Sequence, residues 1–330
     1  LKIKTGISGI LIMIPYGKQF VDDKDINKVK EVLKSDYLTT GPKVNKFEEQ
    51  MAKKVGAKFA VAVSNGTAAL HVACLAIGLK HGDKTITSPI TFTASANCAL
   101  FCNAKPLFVD VDEKTGLINE DLISSKISDD VKVIIPVHYS GLPVDLEKVK
   151  NISDKNDCFI IEDAAHALGA KYKGEPIGNC KYSDMSIFSF HPVKHITTGE
   201  GGLITTSSEE LYERLKLFRT HGITKDPKKI KNKSEGGWYY EMHELGYNYR
   251  ITDIQCALGL SQLDKLDRFV ARRREIAKIY YDEFKDNPFF DMIEEPNDRF
   301  SSYHLFPILL KKPYIKHKKQ VFSSMRKNKL

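Results

Sequence analysis

The sequence lacks paired cysteines, tandem repeats and low-complexity tracts. None of its six cysteines belongs to a CxxC pair, so no cysteine-based metal motif is present and no metal site is predicted. Four of the six lie within apolar stretches, which is typical of buried, reduced thiols. Reduced thiols predict a cytoplasmic protein. The cysteines are Cys74, Cys98, Cys102, Cys158, Cys180 and Cys256.

Long apolar segments are also absent. The N-terminal stretch LKIKTGISGILIMIP has two lysines before a short apolar run, as a signal peptide does, but no small-residue cleavage site follows it. The run is too short to span a membrane. We interpret residues 1–12 as an extension upstream of the native chain, because Met13 lies just before the first well-patterned segment. No other segment is a membrane candidate, so no membrane partner is expected.

Basic residues exceed acidic ones. The chain has 50 Lys+Arg and 42 Asp+Glu, which gives a net charge of +8. Such a charge favours an anionic ligand or nucleic acid, or simply reflects a solvated, lysine-rich surface. The basic clusters at 225–233 and 311–319 lack the interleaved aromatic residues of a base-stacking surface, and no helix-turn-helix signature appears. No nucleic-acid partner is therefore expected.

Strand-like and helix-like segments alternate along most of the chain. The strand-like runs, among them residues 58–64, 131–139 and 157–165, are continuously apolar. Continuous apolar runs are typical of parallel strands covered on both faces. Their alternation with helical patterns predicts an α/β, doubly wound fold.

The pattern also predicts a division into domains. We expect a large α/β domain over residues 13–260, followed by a linking helix and a partial small domain over residues 261–330. A single long helical pattern covers residues 251–284. Residues 303–310 are then predicted as a strand and 319–330 as a helix, after which the small domain is expected to be incomplete.

Open parallel sheets bind ligands at the carboxyl ends of their strands, and polar residues follow one strand there. The sequence Ser64-Asn65-Gly66-Thr67 separates a predicted strand from a predicted helix. Gly66 allows close approach of the backbone, the helix N-terminus offers unpaired N–H groups, and Thr67 adds a hydroxyl. These features are typical of an anion pocket, and an ordinary helix cap is an equally good interpretation of this motif alone.

Two charged residues stand at the ends of other apolar runs. Asp163 ends the run in DCFIIEDAA, where a buried carboxylate needs a partner such as a cationic ring nitrogen, a salt bridge or a helix N-terminus. Lys194 follows the apolar run SIFSF, and Ser189 precedes it by five residues. Burial favours the neutral amine, which attacks carbonyl groups, although a surface lysine with a buried stem fits the same pattern.

Together, an anion pocket, a buried carboxylate and a desolvated lysine match one cofactor. Pyridoxal 5'-phosphate has a phosphate, a pyridine nitrogen and an aldehyde, and a Schiff-base lysine with an aspartate on the ring nitrogen is its recurring protein setting.

The chain resembles the DegT/StrS-type sugar aminotransferases, which are fold type I pyridoxal-phosphate enzymes. The resemblance rests on six stretches that span most of residues 14–310: LTTGPKVNKFEE, SNGTAALHVA, SPITFTASAN, IIEDAAHALGA, SFHPVKHITTGEGG and LGYNYRITDIQCALGLSQL. It implies a mostly parallel seven-stranded sheet with helices on both faces and a smaller C-terminal α+β domain. Stretches such as FRTHGITKDP and WYYEMHELGYNYR resemble in particular the UDP-sugar C4 aminotransferases of the pseudaminic acid pathway.

The resemblance also implies roles for individual residues. Lys194 would bind the cofactor covalently and shuttle a proton, and Asp163 would keep the pyridine nitrogen protonated. Phe92 would stack on the ring, and His166 would lie beside its 3-hydroxyl. The residues expected to hold the phosphate are Gly66, Thr67 and Ser189, together with Asn248 from a partner subunit, which implies a homodimer with shared active sites.

The substrates implied are L-glutamate and a UDP-sugar. Arg219 and His221 are candidates for the diphosphate region of the sugar nucleotide. Related 3-amino or perosamine-type aminotransferases, or a truncated and impaired family member, are the alternatives. The related dehydratases have histidine at the position of Lys194, which argues against that activity.

Overall fold

The protein is built around a seven-stranded sheet with one antiparallel strand. The computed structural model describes residue 15, residues 17–232 and residues 235–328. The strands lie in the order β1-β7-β6-β5-β4-β2-β3, and only β7 runs against its neighbours. They are β1 Phe59–Val63, β2 Lys84–Thr87, β3 Lys105–Phe108, β4 Val131–Ile134, β5 Phe159–Asp163, β6 Met185–Ser189 and β7 Gly202–Thr206. The predicted doubly wound, mostly parallel seven-stranded sheet is confirmed.

Helices cover both faces of this sheet. They are α1 Asp23–Leu33, α2 Pro42–Val55, α3 Gly66–Ala76, α4 Ala94–Phe101, α5 Glu120–Ile123, α6 Leu146–Lys155, α7 Glu209–Arg219, α8 Asp253–Leu263, α9 Leu266–Phe284 and α10 Lys318–Lys327. Two buried apolar clusters lie on opposite faces, one around Phe47 and Met51 of α2, the other around Leu70 of α3 and Leu215 of α7. The central strands are buried on both faces, which explains their continuous apolar sequence.

Side-chain caps fix where several helices begin and end. Asp22 and Asp25 form a capping box at the start of α1, and Asp145 caps α6. Gly56 ends α2 in the left-handed conformation, with φ of 78°. These caps place the loops between strands and helices at the sheet edges.

Short strands and two 3₁₀ turns complete the described residues. A three-stranded sheet joins Lys171–Tyr172, Glu175–Pro176 and Arg299–Phe300, and two ribbons pair Ile223–Thr224 with Glu241–Met242 and Phe290–Met292 with Ile308–Leu310. The 3₁₀ turns are Tyr139–Gly141 and Lys312–His317.

Two sequence predictions differ from the structure. Residues 251–284 form two helices, α8 and α9, because the Lys265 side chain turns inward to two carboxylates at the junction. No glycine or proline marks this break, so periodicity alone predicted one helix. Of residues 303–310, only Ile308–Leu310 are a strand, since the preceding segment lies against Ser140 and Gly141 instead of pairing in a sheet.

The predicted extension at residues 1–12 lies outside the described residues. The domain boundary at residue 260 stays a prediction. Residue 260 lies within α8, and this helix packs against α1 and α2.

Candidate functional site

The predicted site residues converge on one edge of the sheet. Strands β1, β5 and β6 run in the same direction, so Val63, Asp163 and Ser189 end at the same edge. Strand β7 starts there, where Gly202 pairs with both Val63 and Ser189. The candidate site is therefore built by loops at the carboxyl ends of parallel strands, as expected for an open α/β sheet.

Gly66 and Ser189 lie side by side at this edge. A Cβ atom on Gly66 would come within 3.1 Å of the Ser189 Cβ and 3.4 Å of its Oγ. Asn65 caps α3 by accepting a hydrogen bond of 2.8 Å from the Ala68 N–H. The N–H groups of Gly66 and Thr67 lie in the first turn, where a helix has no main-chain acceptor for them. With the Ser189 hydroxyl, they form a compact set of donors suited to an anion.

Gly202 is required by close packing at the same place. A Cβ atom there would lie 2.4 Å from the Asn65 carbonyl oxygen and 2.8 Å from the Gly66 N atom. Glycine at the start of β7 thus lets the backbone that carries Gly66 sit directly over the sheet edge.

Asp163 is a buried carboxylate with two hydrogen-bond donors from the protein. Its exposed fraction is 5%. The Ser95 Oγ donates to its Oδ2 at 2.6 Å, and the Ala165 N–H donates to its Oδ1 at 3.2 Å. Ser95 lies in the first turn of α4 and was not singled out from sequence.

Lys194 is half-buried in the turn that follows β6, where its main-chain N–H donates to the His191 carbonyl at 2.8 Å. Among the described residues no carboxylate lies within ion-pair distance of its Nζ. Burial lowers the pKa of Lys194 to about 8, and the negative charge of Asp163 partly opposes that shift. About one tenth of this amine is neutral at pH 7, far more than for an ordinary lysine, and the neutral form is the one that acts as a nucleophile.

Three histidines surround Lys194. Burial and the nearby lysine charge lower the pKa of His166 to about 3, so its ring is neutral. The His304 ring lies 4.2 Å from that of His166 and 5.6 Å from that of His195, measured between centroids. The buried Nδ1 atoms of all three rings have no hydrogen-bond partner among the described residues.

His304 was missed because it lies far along the chain, in a run interpreted as a strand. The segment is held at the site by Ser302, whose Oγ donates to the His166 carbonyl at 3.0 Å. The only signal in the sequence was a histidine inside an apolar run.

Phe92 and Asn248 lie on exposed segments. Phe92 is 70% exposed, and its carbonyl accepts a hydrogen bond of 3.2 Å from the Ser95 N–H. Asn248 is exposed and pairs with Thr220 in an isolated β-bridge. No described contact joins Asn248 to Gly66, Thr67 or Ser189 of the same chain.

Arg219 has partners on α2 and β1, and its role at a sugar-nucleotide diphosphate stays a prediction. Its NH1 donates to the Glu48 Oε1 at 2.5 Å and to the Ala62 carbonyl at 2.9 Å. Arg219 therefore ties α7 to α2 and β1. His221 is exposed and adopts a left-handed φ of 56°.

Within the described ranges, no group of three or more His, Cys, Asp or Glu side chains is arranged to hold a metal ion. Across the same ranges, the helices are too short or too polar to cross a bilayer.

Comparison with known proteins gives consistent matches across most of the chain. The model of the DegT/DnrJ/EryC1/StrS aminotransferase family matches residues 19–330. A UDP-4-amino-4,6-dideoxy-N-acetyl-beta-L-altrosamine transaminase of Campylobacter jejuni is 42% identical over 316 residues, which are 95% of this chain and 81% of that protein.

Solved structures share the fold. Helicobacter pylori PseC, an aminotransferase of pseudaminic acid biosynthesis, superimposes with a TM-score of 0.89 at 34% identity, covering 96% of this chain and 83% of that one. The PLP form of the putative sugar aminotransferase Spr1654 from Streptococcus pneumoniae gives a TM-score of 0.88 at 28% identity, covering 97% of this chain and 83% of that one.

Proposed function

The chain belongs to the DegT/DnrJ/EryC1/StrS aminotransferase family, and from that premise we propose that it moves an amino group from L-glutamate to C4 of a UDP-4-keto-6-deoxy-N-acetylhexosamine. It is a pyridoxal-phosphate-dependent, fold type I transaminase that acts on a nucleotide sugar. The proposed product is a UDP-4-amino-4,6-dideoxy-N-acetyl-L-altrosamine-type sugar, because the Campylobacter jejuni relative carries that name.

One arrangement carries the proposal. A half-buried lysine with a lowered pKa shares a sheet edge with a buried carboxylate and an anion pocket. These are the three groups that pyridoxal phosphate needs for its aldehyde, ring nitrogen and phosphate. The crowding of Gly66 against Ser189 and the unpaired Nδ1 of His166 also fit a ligand in this place.

Each site residue has a distinct proposed role. Bound pyridoxal phosphate supplies an aldehyde carbon that accepts the amino group and a ring that accepts electrons. The Gly66 and Thr67 N–H groups and the Ser189 hydroxyl bind the phosphate. Asp163 holds a proton on the ring nitrogen, and neutral His166 lies beside the 3-hydroxyl.

Lys194 would have two roles. Its neutral amine would attach the cofactor, and once freed it would be the base placed to take up and return the proton of the substrate carbon. Phe92 covers one face of the ring, for which its exposed position leaves room.

A visible absorption spectrum with pyridoxal phosphate tests this function. Wild type should show the band of lysine-bound cofactor, L-glutamate should bleach it, and the UDP-4-keto sugar should restore it with formation of an amino sugar detected by mass spectrometry. Lys194→Ala should show no such band. Restoration by a 3-keto sugar and not by the 4-keto sugar would replace the proposed substrate with the 3-amino alternative.

We further propose a homodimer in which Asn248 reaches the phosphate of the neighbouring copy. Asn248 is exposed, Leu245 three residues before it is 74% exposed, and Phe101 is 49% exposed. The buried ring of His71 packs against the rings of both Phe101 and Tyr247 and so joins these segments. A second copy would cover such a surface. All six cysteines are free thiols, which supports a reducing, cytosolic setting.

Mixing two inactive variants tests the shared site. Lys194→Ala and Asn248→Ala subunits, unfolded and refolded together, should regain about one quarter of wild-type activity, because half the dimers contain one intact site. If Asn248 acts within its own chain, every mixed dimer has two defective sites and no activity returns.

A further inference from the structure

Asp163 is oriented by a chain of two hydroxyl groups that lead away from the site. The Ser95 Oγ lies 2.6 Å from the Asp163 Oδ2 and 2.6 Å from the Thr91 Oγ1. Ser95 and Asp163 are both buried. Thr91 and Ser95 are four residues apart, in the turn that leads into α4.

The proton count gives this chain a direction. A serine hydroxyl has one proton, and Ser95 Oγ faces a carboxylate oxygen, the Thr91 hydroxyl and, at 3.3 Å, the Phe92 carbonyl. The carboxylate is the strongest acceptor of the three, so Ser95 donates to Asp163 and Thr91 donates to Ser95. The Asp163 carboxylate is therefore the acceptor at the end of this chain.

The second oxygen of Asp163 is also fixed. Its Oδ1 accepts from the Ala165 N–H at 3.2 Å. With one donor on each oxygen, rotation of the carboxyl group about its Cβ–Cγ bond would break both hydrogen bonds. Its orientation at the end of β5 is therefore fixed by these two donors.

Ser95 also anchors the segment that carries Phe92. The Ser95 N–H donates to the Phe92 carbonyl at 3.2 Å. One residue thus connects the group proposed for the ring nitrogen with the residue proposed for the ring face.

We propose that Ser95, supported by Thr91, is a positioning residue that holds the Asp163 carboxylate in one orientation, aimed at the pyridine nitrogen of the cofactor. This inference rests on the role proposed for Asp163. Ser95 touches neither cofactor nor substrate, and its effect passes through that carboxylate.

The test measures the ring nitrogen directly. Holoenzyme is prepared with ¹⁵N-labelled pyridoxal phosphate, and the nitrogen chemical shift reports its protonation without any amino donor or sugar. Ser95→Ala should shift the signal toward the unprotonated form and slow the glutamate half-reaction, by up to about 100-fold in rate constant, with a change of less than about threefold in half-saturating glutamate.

Conservative and distant variants separate positioning from packing. Ser95→Thr keeps the hydroxyl and should return the signal and rate close to wild type, whereas Thr91→Val should give a smaller defect than Ser95→Ala. Ser153→Ala is the matched control, since Ser153 is buried in α6 and its hydroxyl bonds only to the Cys158 carbonyl, away from the site. It should match wild type in both readouts.

The outcomes distinguish the inference from the proposed function. If Asp163→Ala leaves the ring nitrogen protonated, the role proposed for Asp163 is wrong. If Asp163→Ala removes that proton while Ser95→Ala leaves signal and rate within about twofold of wild type, only the role of Ser95 is wrong. Equal defects in Ser95→Thr and Ser95→Ala would also overturn it, because packing would then be the cause.

Discussion

Two lysines withdrawn from solvent show opposite electrostatic behaviour. Lys194 lies at the active edge of the sheet, and its burial lowers its pKa to about 8. Lys265 lies between α8 and α9 and is 7% exposed. Burial acts to lower the pKa of Lys265 too, but hydrogen bonds to Asp22 and Asp25 reverse the effect and raise it.

The difference lies in the partners. Lys265 Nζ is 2.6 Å from the Asp22 Oδ1 and 2.7 Å from the Asp25 Oδ2, so two adjacent carboxylates balance its positive charge. Lys194 has the charge of Asp163 in its surroundings, without a direct ion pair. A buried lysine is therefore structural when carboxylates contact it and reactive when they are held away.

Removing each amine should separate the two lysines most clearly in the free energy of unfolding. Lys265→Met leaves the Asp25 carboxylate, which is 0% exposed, without its cation, so we expect a loss of roughly 3 kcal/mol in the free energy of unfolding. Lys194→Met leaves no charge unpaired, because Asp163 keeps its donors Ser95 and Ala165. The cofactor-free protein should then change by less than about 1 kcal/mol. Urea unfolding at pH 7 measures both.

A half-buried lysine with an exposed partner provides the control. Lys54 forms an ion pair of 2.7 Å with Asp267, whose side chain is 82% exposed. Lys54→Met should change the free energy of unfolding by at most about 0.5 kcal/mol. Equal losses in the Lys194 and Lys265 variants would show that burial, and not the partner, sets the role of these lysines.

The sequence predicted the central sheet and its helices well because their signals are local. Buried parallel strands need apolar residues at every position, and a helix that begins at Asp22 or ends at Gly56 has its cap in the sequence. The break between α8 and α9 has no such local cause. It depends on Asp22 and Asp25, about 240 residues earlier in the chain.

The site residues also separate into those predictable from local sequence and those placed by distant contacts. Asp163 and Ser189 end strands, and Gly66 and Lys194 lie in the loops that follow strands, so topology alone brings them to one edge. Ser95 and His304 reach that edge from a helix start and a distant segment, through contacts that exist only in the folded chain. Arg219 was a candidate because of its charge, and its burial against Glu48 could not be inferred from sequence.

The last difference between the two lysines is their pH dependence. If the pKa of Lys194 is about 8, its neutral fraction increases roughly tenfold between pH 7 and pH 9 and levels off above pH 8. The rate at which cofactor-free protein binds pyridoxal phosphate covalently, followed by absorbance, should have that profile. A rate that keeps rising tenfold per pH unit through pH 10 would indicate an ordinary lysine.

The pH dependence of the free energy of unfolding should have opposite signs for the two lysines. Relative to Lys194→Met, the wild type should gain stability from about pH 8 to about 10.4, because the unfolded chain still holds the proton that the folded chain has released. Relative to Lys265→Met, it should keep its full advantage below about pH 10.4 and lose it as pH rises through the raised pKa of Lys265.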